Sequence, residues 1–171
     1  AVLLPDDLIW NRGPGALKQM GDAAQASGAS MIAVQDVPAE STGSYGIVAT
    51  DAFDGRQGRI RRIVEKPRPE DAPSNLAVVG RYVLSPRIFG LLEATTPGAG
   101  GEIQLADAIA SLLTVDPVHA FRFQGLRFRC GTHIGLIEAT IRYALDHEKL
   151  SDPARDMMQK ALSELGVRDI D

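Results

Sequence analysis

Glu65 and Lys66 form an adjacent carboxylate and ammonium in the middle of the chain. They follow the strand-like stretch 58–64 and precede Pro67, so both leave the end of a predicted strand. Because neighbouring residues of an extended segment point to opposite sides, the pattern predicts that the two side chains diverge. A carboxylate accepts hydrogen bonds from hydroxyls, and an ammonium donates them to phosphate oxygens. The pair therefore indicates a phosphorylated sugar as ligand.

A second candidate group lies near the start of the sequence, where Asp6 and Asp7 follow the apolar residues 1–4 and Pro5. Open α/β sheets bind ligands at the carboxyl ends of their strands, and Mg²⁺ binds one or two carboxylates together with phosphate oxygens. A turn or a helix cap explains the same two residues without a metal, and spacing alone leaves both interpretations open. Because the two neighbours should diverge, only one of them is expected to reach an ion.

Two other segments have structural explanations at least as good as functional ones. Tyr45 and Gly46 open a predicted strand, where a glycine lets a backbone N–H approach a ligand closely, although a loop-to-strand turn is the simpler explanation. Residues 97–101 form a glycine-rich loop before a predicted helix, and such a loop can bind an anion. Glu102, expected in the first turn of that helix, would already satisfy its positive end. A flexible cap and a role near a ligand stay equally open.

Composition and charge exclude several classes of protein. The chain has 171 residues, 44% of them hydrophobic and 23% charged, with a net charge of −4. The basic run Arg56, Arg59, Arg61 and Arg62 has no aromatic residues interleaved, so a solvated strand face is favoured over nucleic-acid binding. No apolar run reaches the roughly 20 residues of a membrane helix. The single cysteine, Cys130, excludes an internal disulfide and predicts a cytoplasmic protein.

The apolar pattern predicts alternating strands and helices, which is typical of a mixed α/β fold. Residues 1–4 are apolar throughout, as in a strand buried inside a parallel sheet, and the first strand, helix and strand predict a βαβ crossover. The middle strands are expected to be antiparallel. We predict one domain over residues 1–171, with a C-terminal helix in 151–171. Strands are predicted over 1–4, 30–34, 46–49, 58–64, 76–84, 118–124 and 127–129, and helices over 16–27, 86–94, 102–113, 134–146 and 153–165.

An ordered set of short motifs resembles the bacterial UTP–glucose-1-phosphate uridylyltransferases. No single motif is decisive, but the set in this order is highly specific, and it extends to about residue 150. The matching stretches are LPDDL at 4–8, LKQM at 17–20, YG at 45–46, VEKP at 64–67, PSNLAVVGRY at 73–82, PGAGGEIQL at 97–105 and CG at 130–131.

The resemblance implies an α/β fold of the glycosyltransferase-A-like, Rossmann-like nucleotide-diphospho-sugar transferases. It implies an enzyme that makes UDP-glucose and pyrophosphate from UTP and glucose 1-phosphate with Mg²⁺, as a homo-oligomer. By the same resemblance Asp6 and Lys66 are catalytic, Asp6 as the metal ligand and Lys66 through its contact with the sugar phosphate. Glu65 accepts hydrogen bonds from the glucose hydroxyls. Gly46 offers its backbone N–H to the sugar, and Tyr45 and Val78 line the pocket.

Two departures from the family pattern shape the expectations. The glycine-rich, Arg- and Lys-containing loop with which the family begins has no counterpart here, so the chain is expected to carry the sugar-phosphate part of the site and to be inactive alone. The family's aspartate before the Cys-Gly pair is Arg129 in this sequence, and a cation there would repel Mg²⁺. The alternatives are a related enzyme that uses another nucleotide, such as dTTP, and a non-catalytic fragment.

Overall fold

The computed structural model of the protein describes residues 1–98 and 101–166. The glycine-rich loop predicted at 97–101 is thus described only in part, because Ala99 and Gly100 lie outside the described residues, as do residues 167–171. Contacts divide the chain into two compact units. We call them the larger unit (Ala1–Leu4 with Asn11–Gly125) and the smaller unit (Pro5–Trp10 with the described residues from Leu126 on). The assignment of residues 1–171 to one domain stays a prediction.

The predicted alternation of strands and helices is present, and most boundaries differ by only a few residues from those expected. Two short 3₁₀ helices, Ala39–Ser44 and Pro69–Asp71, lie in connecting loops. The strands are β1 (Val2–Leu3), β2 (Asp7–Trp10), β3 (Ser30–Asp36), β4 (Gly46–Thr50), β5 (Gln57–Glu65), β6 (Leu76–Val83), β7 (Val118–Arg122) and β8 (Leu126–Arg129). The helices are α1 (Ala16–Ser27), α2 (Arg87–Ala94), α3 (Leu105–Leu112), α4 (His133–Asp146) and α5 (Ser151–Glu164).

Six strands of the larger unit form one mixed sheet in the order β1-β6-β3-β7-β5-β4, and β4 also pairs with β6. β3 and β7 are parallel, whereas β3–β6, β4–β5 and β5–β7 are antiparallel, as expected for the middle strands. β1 and β3 both run antiparallel to β6, so they are parallel to each other across that strand. The predicted crossover between them and the mixed α/β fold are therefore confirmed.

The core of the larger unit is built on the central strands. Residues 30–34 of β3 are all buried, which is typical of a strand with neighbours on both sides and covered faces. Met20 of α1 is fully buried, and α1 packs on β3 and β6. Ile109 and Leu112 of α3 join Ile88 of α2 in the same hydrophobic cluster. This packing fixes the sheet whose strand ends carry the candidate site residues.

The smaller unit pairs β2 with β8 in an antiparallel sheet of two strands. Trp10 Nε1 donates to Asp146 Oδ2 at 3.0 Å and Tyr143 Oη donates to the Ile9 carbonyl at 3.2 Å, so α4 is bound to β2. The Thr132 hydroxyl caps α4 by accepting from the Gly135 N–H. α5 has no buried residues. No described helix has the length and hydropathy needed to cross a membrane.

The expectation that residues 1–4 form a buried strand of a parallel sheet is wrong. β1 is only two residues long, pairs antiparallel with β6 and lies at the end of the sheet. Val2 and Leu3 are 37% and 52% exposed. An apolar composition does not by itself bury a strand.

The helix predicted from residue 102 begins later, at Leu105. Gln104 is its extended N-cap residue, and the Glu102 carbonyl accepts from the Gly98 N–H at 3.0 Å, so Glu102 lies before the helix. Glu102 is therefore not in the first turn; Asp107 occupies that place. Ile103, expected on the buried stripe, is 52% exposed because it precedes the helix.

Candidate active site

The larger unit brings predicted site residues together at the corner where β4, β5 and β6 meet. Gly46, the first residue of β4, lies opposite Glu65, the last residue of β5. Ile47 pairs with Ala77 of β6, which places Val78 beside Gly46. A Cβ atom added to Gly46 would lie 3.1 Å from Glu65 Oε2 and 3.6 Å from Val78 Cγ2. One small space is therefore bordered by Gly46, Glu65 and Val78. The pairing of β4 with β5 and β6 brings these three residues together from separate segments of the chain.

A glycine at position 46 keeps the Glu65 carboxylate accessible. A Cβ atom 3.1 Å from a carboxylate oxygen is closer than ordinary van der Waals contact, so a larger residue would push the Glu65 side chain aside. The Glu65 side chain is 31% exposed, and its oxygens can accept hydrogen bonds from a ligand. The absence of a side chain at Gly46 thus opens the space in front of the carboxylate.

Lys66 has a left-handed backbone conformation, with φ of 42°, and it is the one described residue other than glycine with positive φ. This conformation costs an L-residue about 1–2 kcal/mol, and a residue before proline normally favours extended backbone. Strain of this kind is concentrated at functional sites. The Lys66 N–H donates to the Tyr45 carbonyl at 2.9 Å, which holds the strained residue against the start of β4.

The prediction that Glu65 and Lys66 point to opposite sides is wrong. Lys66 Nζ lies 4.0 Å from Glu65 Oε1, so the ammonium and the carboxylate face the same region. The reason is the left-handed turn at Lys66, which ends the strand and breaks the side-chain alternation of extended backbone. The Lys66 side chain is 64% exposed, so its charge remains accessible.

Tyr45 is positioned by the 3₁₀ helix before it. Its N–H donates to the Thr42 carbonyl at 3.1 Å, and the fully buried Thr42 donates its hydroxyl to the Ala39 carbonyl at 2.7 Å. Tyr45 itself is partly buried. Through the bond from the Lys66 N–H, Tyr45 belongs to the same corner as Glu65 and Gly46, as the resemblance implies.

Asp6 and Asp7 belong to the smaller unit, and they diverge as predicted. Asp7 is 5% exposed and accepts two hydrogen bonds from Arg127, from Nε at 2.7 Å and from Nη2 at 3.1 Å. Asp6 is exposed. The Asp6 carbonyl accepts from the Cys130 N–H at 2.7 Å, and Asp6 Oδ2 would lie 3.5 Å from a Cβ atom on Gly131. Nothing in the sequence singles out Arg127 as a partner of Asp7.

Of the pair Asp6 and Asp7 in the smaller unit, the carboxylate available to bind a magnesium ion is that of Asp6. Asp6 offers one exposed carboxylate, and one or two carboxylates with phosphate oxygens suffice for Mg²⁺, while Asp7 is engaged with Arg127. Among residues 1–98 and 101–166, no group of three or more His, Cys, Asp or Glu side chains could hold a metal ion. Arg129 lies opposite Asp7 in the β2–β8 register. In the part of the smaller unit that the structure describes, the Asp6 carboxylate is thus the one offered to an ion by the pair Asp6 and Asp7.

The basic run of β5 is a solvated strand face for three of its four arginines. Arg59, Arg61 and Arg62 are exposed. Arg61 donates to both oxygens of Asp51, at 2.8 and 2.6 Å, and this hydrogen bonding lowers the pKa of the Asp51 carboxyl. Arg56 differs from the expectation: it is partly buried and its guanidinium donates to Gln19 at 2.8 Å. The strand alternation does not reach Arg56, because it precedes β5.

Comparison with known proteins gives the same family as the motifs. The pattern described as "Nucleotidyl transferase" matches residues 1–144. The UTP–glucose-1-phosphate uridylyltransferase of Staphylococcus epidermidis is 42% identical over 160 residues, which is 94% of this chain and 55% of that protein. The enzyme of the same name from Pseudomonas aeruginosa is 48% identical over 141 residues, 82% of this chain and 50% of that protein.

Solved structures agree with the fold. A UDP-glucose pyrophosphorylase complexed with UDP-glucose has a TM-score of 0.79 at 39% identity, covering 85% of this chain and 55% of the other. A UTP-bound UGPase from Acinetobacter baumannii also has a TM-score of 0.79, at 42% identity, covering 92% of this chain and 54% of the other. The chain spans about half the length of the relatives it matches. With the family pattern matched over most of its length, this chain belongs to the nucleotidyl transferase family.

Proposed function

We propose that this chain carries the sugar-phosphate half of an enzyme that forms UDP-glucose and pyrophosphate from UTP and glucose 1-phosphate. The observation that carries the proposal is the corner of β4, β5 and β6. There Gly46 lies beside the Glu65 carboxylate, and the Lys66 ammonium lies 4.0 Å from that carboxylate. Relatives at 42–48% identity are named UTP–glucose-1-phosphate uridylyltransferases. Structures similar to this chain hold UDP-glucose or UTP.

The two charged residues of the corner suit the two ends of glucose 1-phosphate. The Glu65 carboxylate accepts hydrogen bonds from sugar hydroxyls, and the Lys66 ammonium donates to the phosphate. Because Nζ and Oε1 are 4.0 Å apart, a single small ligand can contact both groups. The Val78 side chain borders the space beside Gly46, and Gly46 leaves the Glu65 carboxylate uncovered. By the family resemblance we expect Tyr45 to line the same space.

In the proposed reaction a phosphate oxygen of glucose 1-phosphate attacks the α-phosphorus of UTP in line. One oxygen–phosphorus bond forms, the bond from the α-phosphorus to the bridging oxygen of the β-phosphate breaks, and pyrophosphate leaves. No covalent enzyme intermediate is needed, so the protein acts by positioning and by neutralising charge. Lys66 has this role, because it offsets the repulsion between the sugar phosphate and the approaching nucleotide.

Asp6 is the residue of this chain that would hold Mg²⁺. Its carboxylate is exposed, whereas that of Asp7 is bound to Arg127. When bound, the ion orients nucleotide phosphates and withdraws charge from them. Arg129 brings a cation to the same two-stranded sheet, so we expect the affinity of the site for Mg²⁺ to depend on the phosphate oxygens that the substrates supply.

We also propose that the protein is a cytoplasmic homo-oligomer. The family resemblance supports the oligomer, and the free cysteine Cys130 supports a reducing compartment. Sedimentation velocity of the purified protein tests the first part, and a monomer at micromolar concentration would contradict it. Cell fractionation with an antibody against the chain tests the second, and recovery from a membrane or secreted fraction would contradict that.

The test of the proposed function is binding to this chain, measured by calorimetry with glucose 1-phosphate, glucose, UDP-glucose and dTDP-glucose. We expect Lys66→Ala to weaken binding of glucose 1-phosphate by about 10- to 100-fold, the worth of a charge-assisted hydrogen bond. It should leave binding of glucose unchanged. Glu65→Gln should weaken both ligands by a similar factor. In a complete enzyme, Lys66→Ala should lower turnover by orders of magnitude, and Glu65→Ala should raise KM for glucose 1-phosphate.

Lys18→Ala is the matched control, because Lys18 is an exposed lysine of the larger unit whose ion pair is with a neighbour in its own helix, Asp22 at 2.8 Å. A loss of affinity in this variant equal to that of Lys66→Ala would contradict a specific phosphate contact. Absence of glucose 1-phosphate binding to the wild-type chain would overturn the proposed function and favour a non-catalytic fragment. Stronger binding of dTDP-glucose than of UDP-glucose would favour the enzyme that uses dTTP.

A further inference from the structure

The chain passes between the two units at three points: after Leu4, after Trp10 and after Gly125. Buried polar side chains of the larger unit lie beside all three. Arg81, 8% exposed, donates to the Leu4 carbonyl at 3.0 Å. Gln19, also 8% exposed, contacts the segments next to the other two points. Two of the buried polar side chains of this unit therefore lie where the chain enters and leaves it.

Gln19 uses every hydrogen-bonding position of its amide. Nε2 donates to the Pro14 carbonyl at 2.7 Å and to the Gln124 carbonyl at 2.9 Å. Oε1 accepts from Arg56 Nη1 at 2.8 Å and from the Gln124 N–H at 2.9 Å. A side-chain amide has two donor and two acceptor positions, so the group is saturated by protein partners. One side chain therefore bonds both the segment after Trp10 and the segment before Leu126.

The partners of Gln19 are themselves held. Asn11 Nδ2 also donates to the Pro14 carbonyl, at 2.9 Å, so this oxygen accepts hydrogen bonds from both Gln19 and Asn11. The Arg56 guanidinium lies 4.9 Å from the ring centroid of Phe121, which is 2% exposed. The amide thus joins two loops to the core through α1, on which Met20 follows Gln19 and is fully buried.

We propose that Gln19 is a positioning residue that anchors two of the three connections between the units to the larger one. The side-chain hydrogen bonds of Gln19 reach Pro14, near the connection after Trp10, and Gln124, next to the connection after Gly125. A further bond, from Arg56, orients the Gln19 oxygen. The smaller unit carries Asp6, the proposed metal ligand, and the larger one carries Lys66. This positioning role rests on the proposed function, whereas the anchoring itself does not.

The experiment compares three variants of the whole chain by amide hydrogen exchange. Gln19→Met removes all four hydrogen bonds at nearly constant volume, whereas Gln19→Glu keeps the two acceptor positions and loses the two donors. Gln25→Met makes the same change at an exposed position of the same helix. We expect the Gln124 amide, which donates to Gln19 Oε1, to exchange about tenfold faster in Gln19→Met. Its rate should stay near that of the wild type in the other two variants.

Tryptic cleavage after Arg12 reports the other connection. Arg12 is exposed and lies two residues before Pro14. Gln19→Met and Gln19→Glu both lose the Nε2 donor to the Pro14 carbonyl, so both should be cleaved there about tenfold faster than the wild type and Gln25→Met. Exchange in β3, far from either connection along the sequence, should stay unchanged.

Three results would overturn the proposal. One is protection of the Gln124 amide in Gln19→Met equal to that of the wild type, and another is equal loss of protection in Gln25→Met. The third is a loss of glucose 1-phosphate affinity in Gln19→Glu as large as that of Lys66→Ala, because Gln19 would then act on the pocket rather than on the connections. If the wild-type chain binds no glucose 1-phosphate, the proposed function fails, and the exchange measurements still decide the anchoring.

Discussion

Each unit contains a pair of adjacent charged residues, and the two pairs have opposite outcomes. In the smaller unit Asp6 is exposed while Asp7 is buried against Arg127, as side-chain alternation predicts. In the larger unit Glu65 and Lys66 face the same region, with 4.0 Å between Oε1 and Nζ, although the same rule predicts divergence. The difference lies in the backbone. Asp7 begins β2, whereas Lys66 has positive φ and ends β5.

The comparison shows where a local rule of strand geometry stops being valid. Alternation requires extended backbone on both residues, and a left-handed residue reverses the side on which its side chain leaves. In the smaller unit Asp6 lies in the turn before β2, and the Asp7 carboxylate that begins the strand is buried while the Asp6 carboxylate stays accessible. In the larger unit the failure of alternation gathers two opposite charges at one corner, which is the arrangement that a ligand with hydroxyls and a phosphate requires.

The largest expected effect is on stability, in the smaller unit. Asp7→Ala removes the carboxylate that pairs with the Arg127 guanidinium, whose side chain is 9% exposed. Breaking a buried ion pair in this way costs about 3–5 kcal/mol. Asp6→Ala, at the exposed neighbour, should change the free energy of unfolding by less than roughly 0.5 kcal/mol. Urea unfolding followed by tryptophan fluorescence measures both, because Trp10 belongs to the same sheet.

A double variant separates the cost of an unpaired charge from the value of the pair. Asp7→Leu combined with Arg127→Met replaces both partners with apolar groups, and it should recover most of the stability lost in Asp7→Ala. Equal destabilisation by Asp6→Ala and Asp7→Ala would contradict the contrast between the two aspartates.

A smaller effect, of opposite sign, is expected at Lys66. Glycine has no steric cost at positive φ but loses about 0.5–1 kcal/mol of chain entropy, against the 1–2 kcal/mol that an L-residue loses there. Lys66→Gly should therefore stabilise the larger unit by about 0.5–1 kcal/mol, while Lys66→Ala, which keeps Cβ, should stay within roughly 0.5 kcal/mol of the wild type. Both should lose affinity for glucose 1-phosphate. Thermal unfolding compares them, and a destabilised Lys66→Gly would mean that the backbone is not strained.

The smallest effect concerns the exposed pair of Asp51 and Arg61. Hydrogen bonds from Arg61 hold the pKa of Asp51 below its ordinary value in the folded protein. A depressed folded-state pKa adds stability above the pKa of the unfolded state, and that stability is lost as the pH falls from there through the lower folded value. In Arg61→Gln the Asp51 carboxyl should titrate nearer its ordinary pKa, as NMR of its side-chain carbon can measure. An unchanged titration would show that Arg61 is not the cause.

Most helices and strands of the fold could be predicted from the sequence. The apolar spacing in Ala16–Ser27 predicted α1 with its bounds, and the strands around residues 30, 46, 58 and 76 were found within a few positions. The errors came where tertiary context overrides pattern. Within residues 1–98 and 101–166, β1 lies at the end of the sheet order and is exposed. β2 was not expected because its pairing with β8 joins residues more than a hundred positions apart.

The motif residues of the candidate site were found for a different reason. Composition and spacing indicated a phosphosugar at Glu65 and Lys66, but the roles of Gly46, Val78 and Asp6 came from the resemblance to the uridylyltransferases. The structure supports the grouping of Glu65, Gly46 and Val78. The roles themselves stay predictions until the binding measurements are made.

The sequence by itself determined the family, the alternation of strands and helices and the identity of the charged residues, because these depend on residue types and short spacings. Only the tertiary structure decided which of two neighbouring aspartates is buried, that Lys66 turns back towards Glu65, and that Gln19 bonds Pro14 and Gln124. The physical reason is that burial, strand register and hydrogen-bond saturation are set by partners distant in the chain. No local pattern records which partner a side chain meets.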